Sequence, residues 1–246
     1  MDDMMRILRR RVRGVAVPQH HQTRIRGAGL VAVFAVVVGT SGCGQPMSGD
    51  ESHSLNGSVH VAAGKPPGSA AAVNGSIRID DNAAVTDAKA VNGTIHLGAH
   101  ATADSLKAVN GGITLEAGAH VARSVESVNG AVTLRTGAEV LGSVANVNGE
   151  IELTAAHVAG GIKTVTGSIS VMGDSRVEGG ILVKKSSIEV VTSRSDLPRI
   201  VVGPGASVQG ELRFEREVRL FVSDRATIGP VSGATPISFS GDAAPK

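Results

Sequence analysis

A short alternation of apolar and polar positions recurs along the middle of the chain, and each copy follows an Asn-Gly pair. In residues 109–115, VNGGITL, the aliphatic residues Ile113 and Leu115 stand on either side of one polar position. Apolar residues two positions apart indicate a β-strand, whereas an amphipathic helix needs them three and four apart. A glycine in every copy also opposes a helix. The repeated segment is therefore predicted to be a strand.

The spacing of the Asn-Gly pairs predicts how these strands are arranged. Successive copies are 18, 18, 18, 19, 19 and 18 residues apart, and the last interval ends at a degenerate copy, Thr166-Gly167. The six asparagines are Asn56, Asn74, Asn92, Asn110, Asn129 and Asn148. Independent hairpins also use Asn-Gly turns, but a fixed period of this length is typical of a solenoid. We expect an all-β, single-stranded β-solenoid with about 18–19 residues per coil, right-handed rather than a left-handed hexapeptide helix.

The repeated positions also predict what each residue does in a coil. Five aliphatic positions recur from copy to copy, and in one copy they are Val109, Ile113, Leu115, Val121 and Val125. We expect these side chains to form the core. Stacked coils place asparagine over asparagine, so the side-chain amides should form a hydrogen-bonded ladder. The pair itself should form a tight corner, because both residue types tolerate the left-handed backbone region.

The central ladder residue gives the sharpest form of this expectation. Asn110 should be buried at a corner between Asn92 and Asn129, with a structural rather than a catalytic or ligand-binding role. Its replacement should then leave amide partners unsatisfied.

The N-terminal residues predict export. The uncharged apolar run at 27–39, GAGLVAVFAVVVG, follows Arg24 and Arg26 and precedes small residues, as in a secretory signal. An uncleaved membrane anchor is the alternative, although the 13 residues of this run are fewer than the roughly 20 that a membrane span needs.

Residues 40–42, TSG, before Cys43, the one cysteine of the chain, resemble the lipobox of bacterial lipoproteins. The resemblance implies cleavage before Cys43, a diacylglycerol on its thiol and acylation of its new amino group, with palmitate as the natural label. With Gly44 in the next position, it also implies the outer membrane, at its periplasmic or surface face, rather than the inner membrane. The implied partner is the membrane itself, through the lipid.

These observations divide the chain into five segments. Residues 1–42 are a signal or leader peptide, 43–55 a flexible tether, and 56–183 the Asn-Gly repeat solenoid. Residues 184–234 hold the last coils and a cap, and 235–246 are a loose tail. We expect Phe214, Leu220 and Phe221 to close the C-terminal edge of the solenoid, because an open end exposes unpaired strand edges.

Composition and charge exclude some functions. The chain has no Trp, no Tyr and four Phe. Residues 43–246 carry 24 − 7 = 17 Lys and Arg against 22 − 2 = 20 Asp and Glu, a formal charge of about −3, so the basic residues are concentrated in the leader. Nucleic-acid binding needs basic stripes, and single-strand binding adds stacking aromatic residues. Residues 43–246 have neither, so no nucleic-acid partner is expected.

Candidate chemical groups are scattered rather than clustered. His60 and His96 occupy the same coil position, but they are two coils apart, about 9.6 Å, which is too far for one metal ion. The paired carboxylates in RIDDNA, residues 78–83, indicate a solvated corner. We therefore expect no catalytic, cofactor-binding or metal site, and no enzyme.

The VNGxIxL coils resemble bacterial adhesin-like β-strand repeat domains of unknown function and, more loosely, bactofilins, which polymerise through stacked solenoids. The resemblance covers about residues 56–230. Three functions remain open: a structural or assembly-forming envelope lipoprotein, an adhesin-like or partner-binding module on the same scaffold, and a glycan-active β-helix enzyme. The first is favoured, and its expected partners are other copies of the chain or an envelope protein.

Overall fold

The described residues form one β-solenoid of stacked coils. The computed structural model describes residues 51–185 and 197–245, and in these ranges every regular element is a strand. All strand pairs are parallel and join one coil to the next, so the predicted solenoid is confirmed. The stack has about ten coils, which gives a rod of roughly 45 Å at the usual spacing between strands.

One face of the rod is a ten-stranded sheet that receives one short strand from each coil. These are the Ile-x-Leu segments recognised in the sequence and their equivalents nearer the C-terminus. The strands are β2 (Val59–Val61), β4 (Ile77–Ile79), β6 (Ile95–Leu97), β8 (Ile113–Leu115), β10 (Val132–Leu134), β13 (Ile151–Thr154), β16 (Ile169–Met172), β19 (Arg199–Val202), β22 (Arg219–Ser223) and β25 (Ile237–Phe239).

The rest of each coil enters a fifteen-stranded sheet. Early coils contribute one long strand each: β1 (Ser52–Asn56), β3 (Gly68–Asn74), β5 (Ala84–Asn92), β7 (Thr102–Asn110) and β9 (His120–Asn129). Later coils break this strand in two. The pairs are β11 (Glu139–Val140) with β12 (Val144–Asn148), β14 (His157–Val158) with β15 (Ile162–Thr164), β17 (Arg176–Val177) with β18 (Ile181–Val183), β20 (Ser207–Val208) with β21 (Leu212–Phe214), and β23 (Thr227–Ile228) with β24 (Val231–Ser232).

The core confirms four of the five predicted aliphatic positions. Ile113, Leu115, Val121 and Val125 are fully buried, as are their equivalents in the next three coils. The fifth position is wrong: Val109 is only half-buried. The strand continues its alternation up to the asparagine, so Ala108 points inward and Val109 outward.

The Asn-Gly corner depends on its glycine in a way that the sequence did not indicate. A Cβ atom on Gly93 would lie 2.1 Å from the carbonyl oxygen of Gly75 in the preceding coil. The same approach recurs at Gly111, 2.1 Å from Gly93 O. Among the described residues other than glycine, positive φ angles occur at Asn82, His100 and Ala155. The expectation that ladder asparagines adopt the left-handed region is therefore wrong.

A second corner, after most strands of the ten-stranded sheet, does use the left-handed region. Ala101 N donates to Gly98 O at 3.2 Å across a four-residue turn, and His100 within it has a φ of 55°. In the next coil Gly118 takes the same place with a φ of 67°. This turn directs Ala101 into the core, where it is fully buried.

Both ends of the rod differ from expectation. Strand β1 begins at Ser52, inside the predicted tether of 43–55. At the other end β25 pairs with β22, so residues 237–239 belong to a further coil and not to a loose tail. Phe239 is buried there because it packs on an apolar group on the outer surface of the ten-stranded sheet.

The predicted cap is also wrong in its placement. Phe214 and Leu220 lie in the core of coils that have another strand beyond them. Phe221 points to the outer surface, where it packs with Val201 and Phe239. Alternation within β22 is the physical reason, because Leu220 and Phe221 are neighbours and must face opposite sides of the sheet.

Candidate functional surface

The asparagine ladder is present along the first five copies. Each side-chain amide donates to the Oδ1 atom of the asparagine one coil earlier. The bonds are Asn74 to Asn56 at 3.0 Å, Asn92 to Asn74 at 3.0 Å, Asn110 to Asn92 at 2.9 Å and Asn129 to Asn110 at 3.0 Å. Asn110 thus lies between the two predicted neighbours.

The ladder is on the surface, so the expected burial of Asn110 is wrong. Its side chain is exposed, as are those of the other ladder residues. Asn148 pairs with Asn129 in backbone register, but its Oδ1 accepts only a long hydrogen bond, 3.4 Å, from Thr166 Oγ1.

Cys43, the predicted lipidation site, lies outside the described residues. In the described ranges, no helix is long and apolar enough to cross a membrane. The prediction of a lipid anchor therefore rests on the sequence.

The predicted outward histidines occupy the places expected from the repeat. His60 pairs with Arg78, and Arg78 pairs with His96, so the two histidines are two coils apart. Each has its own carboxylate: His60 Nε2 lies 2.7 Å from an oxygen of Asp80, and His96 Nδ1 lies 3.8 Å from one of Glu116.

A line of histidine and glutamate side chains that the sequence did not single out crosses four coils. We call the group of His120, Glu139, His157 and Glu178 the His-Glu row. Glu139 accepts from His120 Nδ1 at 3.0 Å and from His157 Nδ1 at 3.0 Å. His157 Nε2 then lies 3.2 Å from Glu178 Oε1. The row therefore adds side-chain hydrogen bonds to the backbone pairing between consecutive coils.

The strand register explains how the row forms. His120, Glu139 and His157 each come directly before an inward valine of the repeat, and they are backbone partners in successive strands. Aligning the copies on those valines would have brought the three residues together. Glu178 follows its valine instead, and it also contacts Arg176 Nε at 3.2 Å.

Hydrogen bonds from the two histidines set the electrostatics of the Glu139 carboxyl. The hydrogen bond from His157, and then that from His120, holds the pKa of the Glu139 carboxyl below its ordinary value, against the effect of burial. Because His157 faces a carboxylate from each ring nitrogen, both nitrogens can donate together only in the protonated ring.

The row borders an open depression of about 620 Å³. Besides members of the row, its lining includes the corner residues Gly137 and Ala155 and the charged residues Asp174 and Arg176. Both signs of charge are present, which suits a polar or zwitterionic surface of a partner better than a simple anion or cation. Among the described residues, no three His, Cys, Asp or Glu side chains are placed to hold a metal ion.

Comparison of the chain with known proteins gives no match among protein families, curated proteins or solved structures.

Proposed function

We propose that the chain is a non-enzymatic lipoprotein of the bacterial cell envelope, in which the solenoid is a rigid structural scaffold. The observation that carries this proposal is the unbroken stacking of coils. The ten-stranded sheet runs through every coil in one register, from β2 to β25, above an aliphatic core that is continuous from Val59 to Val222. In such a stack each coil is supported by its neighbours, so the rod resists bending along its length.

The sequence before the solenoid supports the proposed location in the cell envelope. The apolar run at 27–39 precedes Cys43 by a few small residues, and residues 44–51 separate Cys43 from the start of β1. Lipid on Cys43 would hold the first coil near a membrane, and Gly44 favours the outer membrane. A single acyl chain binds a membrane weakly and reversibly, whereas three chains on one residue would give a stable anchor.

The test of this proposal compares the full-length protein with a Cys43→Ser variant in a bacterial host. The expected result is that the wild-type chain incorporates radioactive palmitate and sediments with outer membranes. The variant should remain a longer, unlabelled precursor. Palmitate labelling of the variant, or a wild-type chain found in the soluble fraction without lipid, would overturn the lipoprotein proposal.

A second candidate function is a partner-binding module on the same scaffold, and the depression beside the His-Glu row favours it. Glu139, Glu178 and Arg176 place charged groups of both signs around the depression, and complementary charges on a partner would give specificity. Photo-crosslinking from position 174, inside the depression, separates the two functions. A single crosslinked envelope protein would support binding, and crosslinks between copies of the chain would support assembly.

A control position for the crosslinker is available outside the depression. Thr114 faces outward in β8 and is partly exposed, yet it lies outside the depression. A crosslinker at position 114 should capture no defined partner if the depression is the binding surface. Equal capture from both positions would show that the contact is not specific to the depression.

A further inference from the structure

The Asn-Gly pairs do not all have the same hydrogen bonds. In five of them the glycine N–H donates to the carbonyl oxygen of the asparagine in the next coil. These bonds are Gly57 to Asn74 at 2.9 Å, Gly75 to Asn92 at 3.0 Å, Gly93 to Asn110 at 3.1 Å, Gly111 to Asn129 at 2.8 Å and Gly130 to Asn148 at 3.1 Å.

The sixth pair, Asn148-Gly149, lacks this bond within the described structure. Thr166 N donates to Val147 O at 2.9 Å, so Thr166 still lies beside Asn148. The regular pairing of β12 with β15 has already ended at Ala145, and Gly149 N–H makes no return bond to Thr166. Gly149 is therefore the glycine of the repeat whose amide is not held by the next coil.

The side chain of Asn148 is also less restrained than the others. Interior ladder residues such as Asn92 and Asn110 each donate one side-chain hydrogen bond and accept another. Asn148 is exposed, and in the described structure its amide makes a single contact, the 3.4 Å bond to Thr166 Oγ1. Among the described residues no side-chain hydrogen bond joins Asn148 to Asn129, and Thr166 presents a hydroxyl where the repeat would place a further amide.

We propose that Asn148 is the site at which this chain deamidates spontaneously. The backbone nitrogen of Gly149 loses its proton to water or hydroxide and attacks Cγ of Asn148. A bond forms between that nitrogen and Cγ, the bond from Cγ to Nδ2 breaks, and ammonia leaves after taking up a proton. Water then adds to the cyclic imide and opens it to aspartate or isoaspartate. Hydrolysis alone balances the reaction, so no redox partner is needed.

Glycine favours this reaction because it has no Cβ to shield its nitrogen and its backbone rotates easily. In the five bonded pairs the same nitrogen donates to the next coil. The side-chain amide that would be attacked is also held in the ladder, by two bonds at Asn74, Asn92 and Asn110 and by one at Asn56 and Asn129. Those pairs must first open locally, so their reaction is slowed by the equilibrium constant for opening.

The size of the expected difference follows from the bonds that must break. Each exposed hydrogen bond slows an interior pair about two- to threefold, so the two ladder bonds and the bond of the glycine N–H together slow it by about tenfold relative to Asn148. Deamidation replaces the neutral side-chain amide of Asn148 by a carboxylate. In the isoaspartyl form it also inserts an extra carbon into the backbone corner that pairs with Asn129.

The test is to incubate the purified full-length protein in its native state in mildly alkaline buffer and to map its peptides by mass spectrometry. Fragmentation that distinguishes aspartate from isoaspartate gives the rate at each of the six asparagines. Conversion of Asn148 should be at least about tenfold faster than that of Asn92 or Asn110. Equal rates at Asn148 and the interior residues would overturn the proposal.

Two controls separate the fold from the local sequence. In the same buffer with denaturant, all six pairs should convert at similar rates, and a persisting preference for Asn148 would show that the fold is not its cause. A Thr166→Asn variant supplies the missing ladder amide and should slow Asn148 toward the interior rate. Thr166→Val, which supplies no amide, should leave Asn148 at least as reactive as in the wild-type chain. Unchanged reactivity in Thr166→Asn would also contradict the proposal.

Discussion

Asn110 Nδ2 donates to Asn92 Oδ1 at 2.9 Å, although the two residues are 18 positions apart in the chain. Asn110 in turn accepts from Asn129 at 3.0 Å, so one side chain joins three consecutive coils. Because this side chain is exposed, water competes for both bonds. Each bond then contributes about 0.5 kcal/mol, near the lower limit for hydrogen bonds in proteins.

Replacing an interior ladder residue should therefore have a modest effect. We expect Asn110→Ala to lower the free energy of unfolding by about 1 kcal/mol, measured by urea denaturation. Asn148→Ala is the matched control, because its side chain makes one long hydrogen bond. Its loss should be less than about 0.5 kcal/mol. Equal losses in the two variants would show that the ladder bonds contribute nothing beyond solvation by water.

The corner glycines should be far less tolerant than the asparagines. In Gly93→Ala the new Cβ would lie 2.1 Å from Gly75 O, so the backbone of two coils must separate. We expect a loss of about 3 kcal/mol or more in the free energy of unfolding. Gly64 is the control, since a Cβ there meets nothing within 4 Å and only its φ of +78° resists substitution.

Gly64→Ala should lower the free energy of unfolding by about 1 to 2 kcal/mol, the usual result of left-handed strain. Thermal unfolding followed by circular dichroism measures both variants. A Gly93→Ala protein as stable as Gly64→Ala would mean that the coils can move apart without loss of their pairing.

The His-Glu row should make stability depend on pH on the acid side. The pKa of Glu139 is lower in the folded chain than its ordinary value of 4.5. A lowered folded pKa stabilises the fold at pH values above 4.5, and this contribution is lost as pH falls from there through the folded pKa. Glu139→Gln keeps the shape of the side chain but removes its charge. It should therefore reduce the change in the free energy of unfolding with pH in this range.

Urea denaturation at a series of pH values compares the wild-type chain with Glu139→Gln. Glu152→Gln is the control, because Glu152 is exposed in β13 and faces outward away from the row. Its profile should follow that of the wild-type chain. A Glu139→Gln profile that also follows it would show that the two histidines do not stabilise the carboxylate.

The stability of the last coil should depend on contacts made on the outer surface of the ten-stranded sheet. Phe239 is buried against Val201 and Phe221, and Arg199 Nη2 donates to the carbonyl oxygens of Ala244 at 3.1 Å and Pro245 at 2.6 Å. We expect Phe239→Ala to destabilise this coil by about 3 kcal/mol. Amide hydrogen exchange should accelerate in residues 219–239 and stay unchanged in 95–153, because coils contact only their neighbours.

Ile237→Ala provides the comparison, since Ile237 is 48% exposed in the same strand. It should leave exchange in residues 219–239 nearly unchanged. If Phe239→Ala accelerates exchange along the whole rod instead, the solenoid unfolds as one cooperative unit and not coil by coil.

The repeat explains how much of this fold was predictable from sequence. Ile113 and Leu115 alternate locally, and the period of 18 or 19 residues places each copy over the last. Once coils stack in parallel, the register of Ile113 on Val132 and of Asn110 on Asn129 follows. Strand alternation and stacking are local rules, so the all-β solenoid, its core and its ladder could be inferred without coordinates.

Other features depend on how far side chains and backbone atoms reach between coils. Whether Val109 or Ala108 faces inward depended on where the strand ended, and the packing of Phe239 depended on the path of the chain after its last repeat. The contact of His157 with Glu178 and the absence of a bond from Gly149 N–H to the next coil appear only when the described coils are in place. Tertiary structure decided these points because they arise from distances of a few ångströms across the stack, which no spacing along the chain encodes.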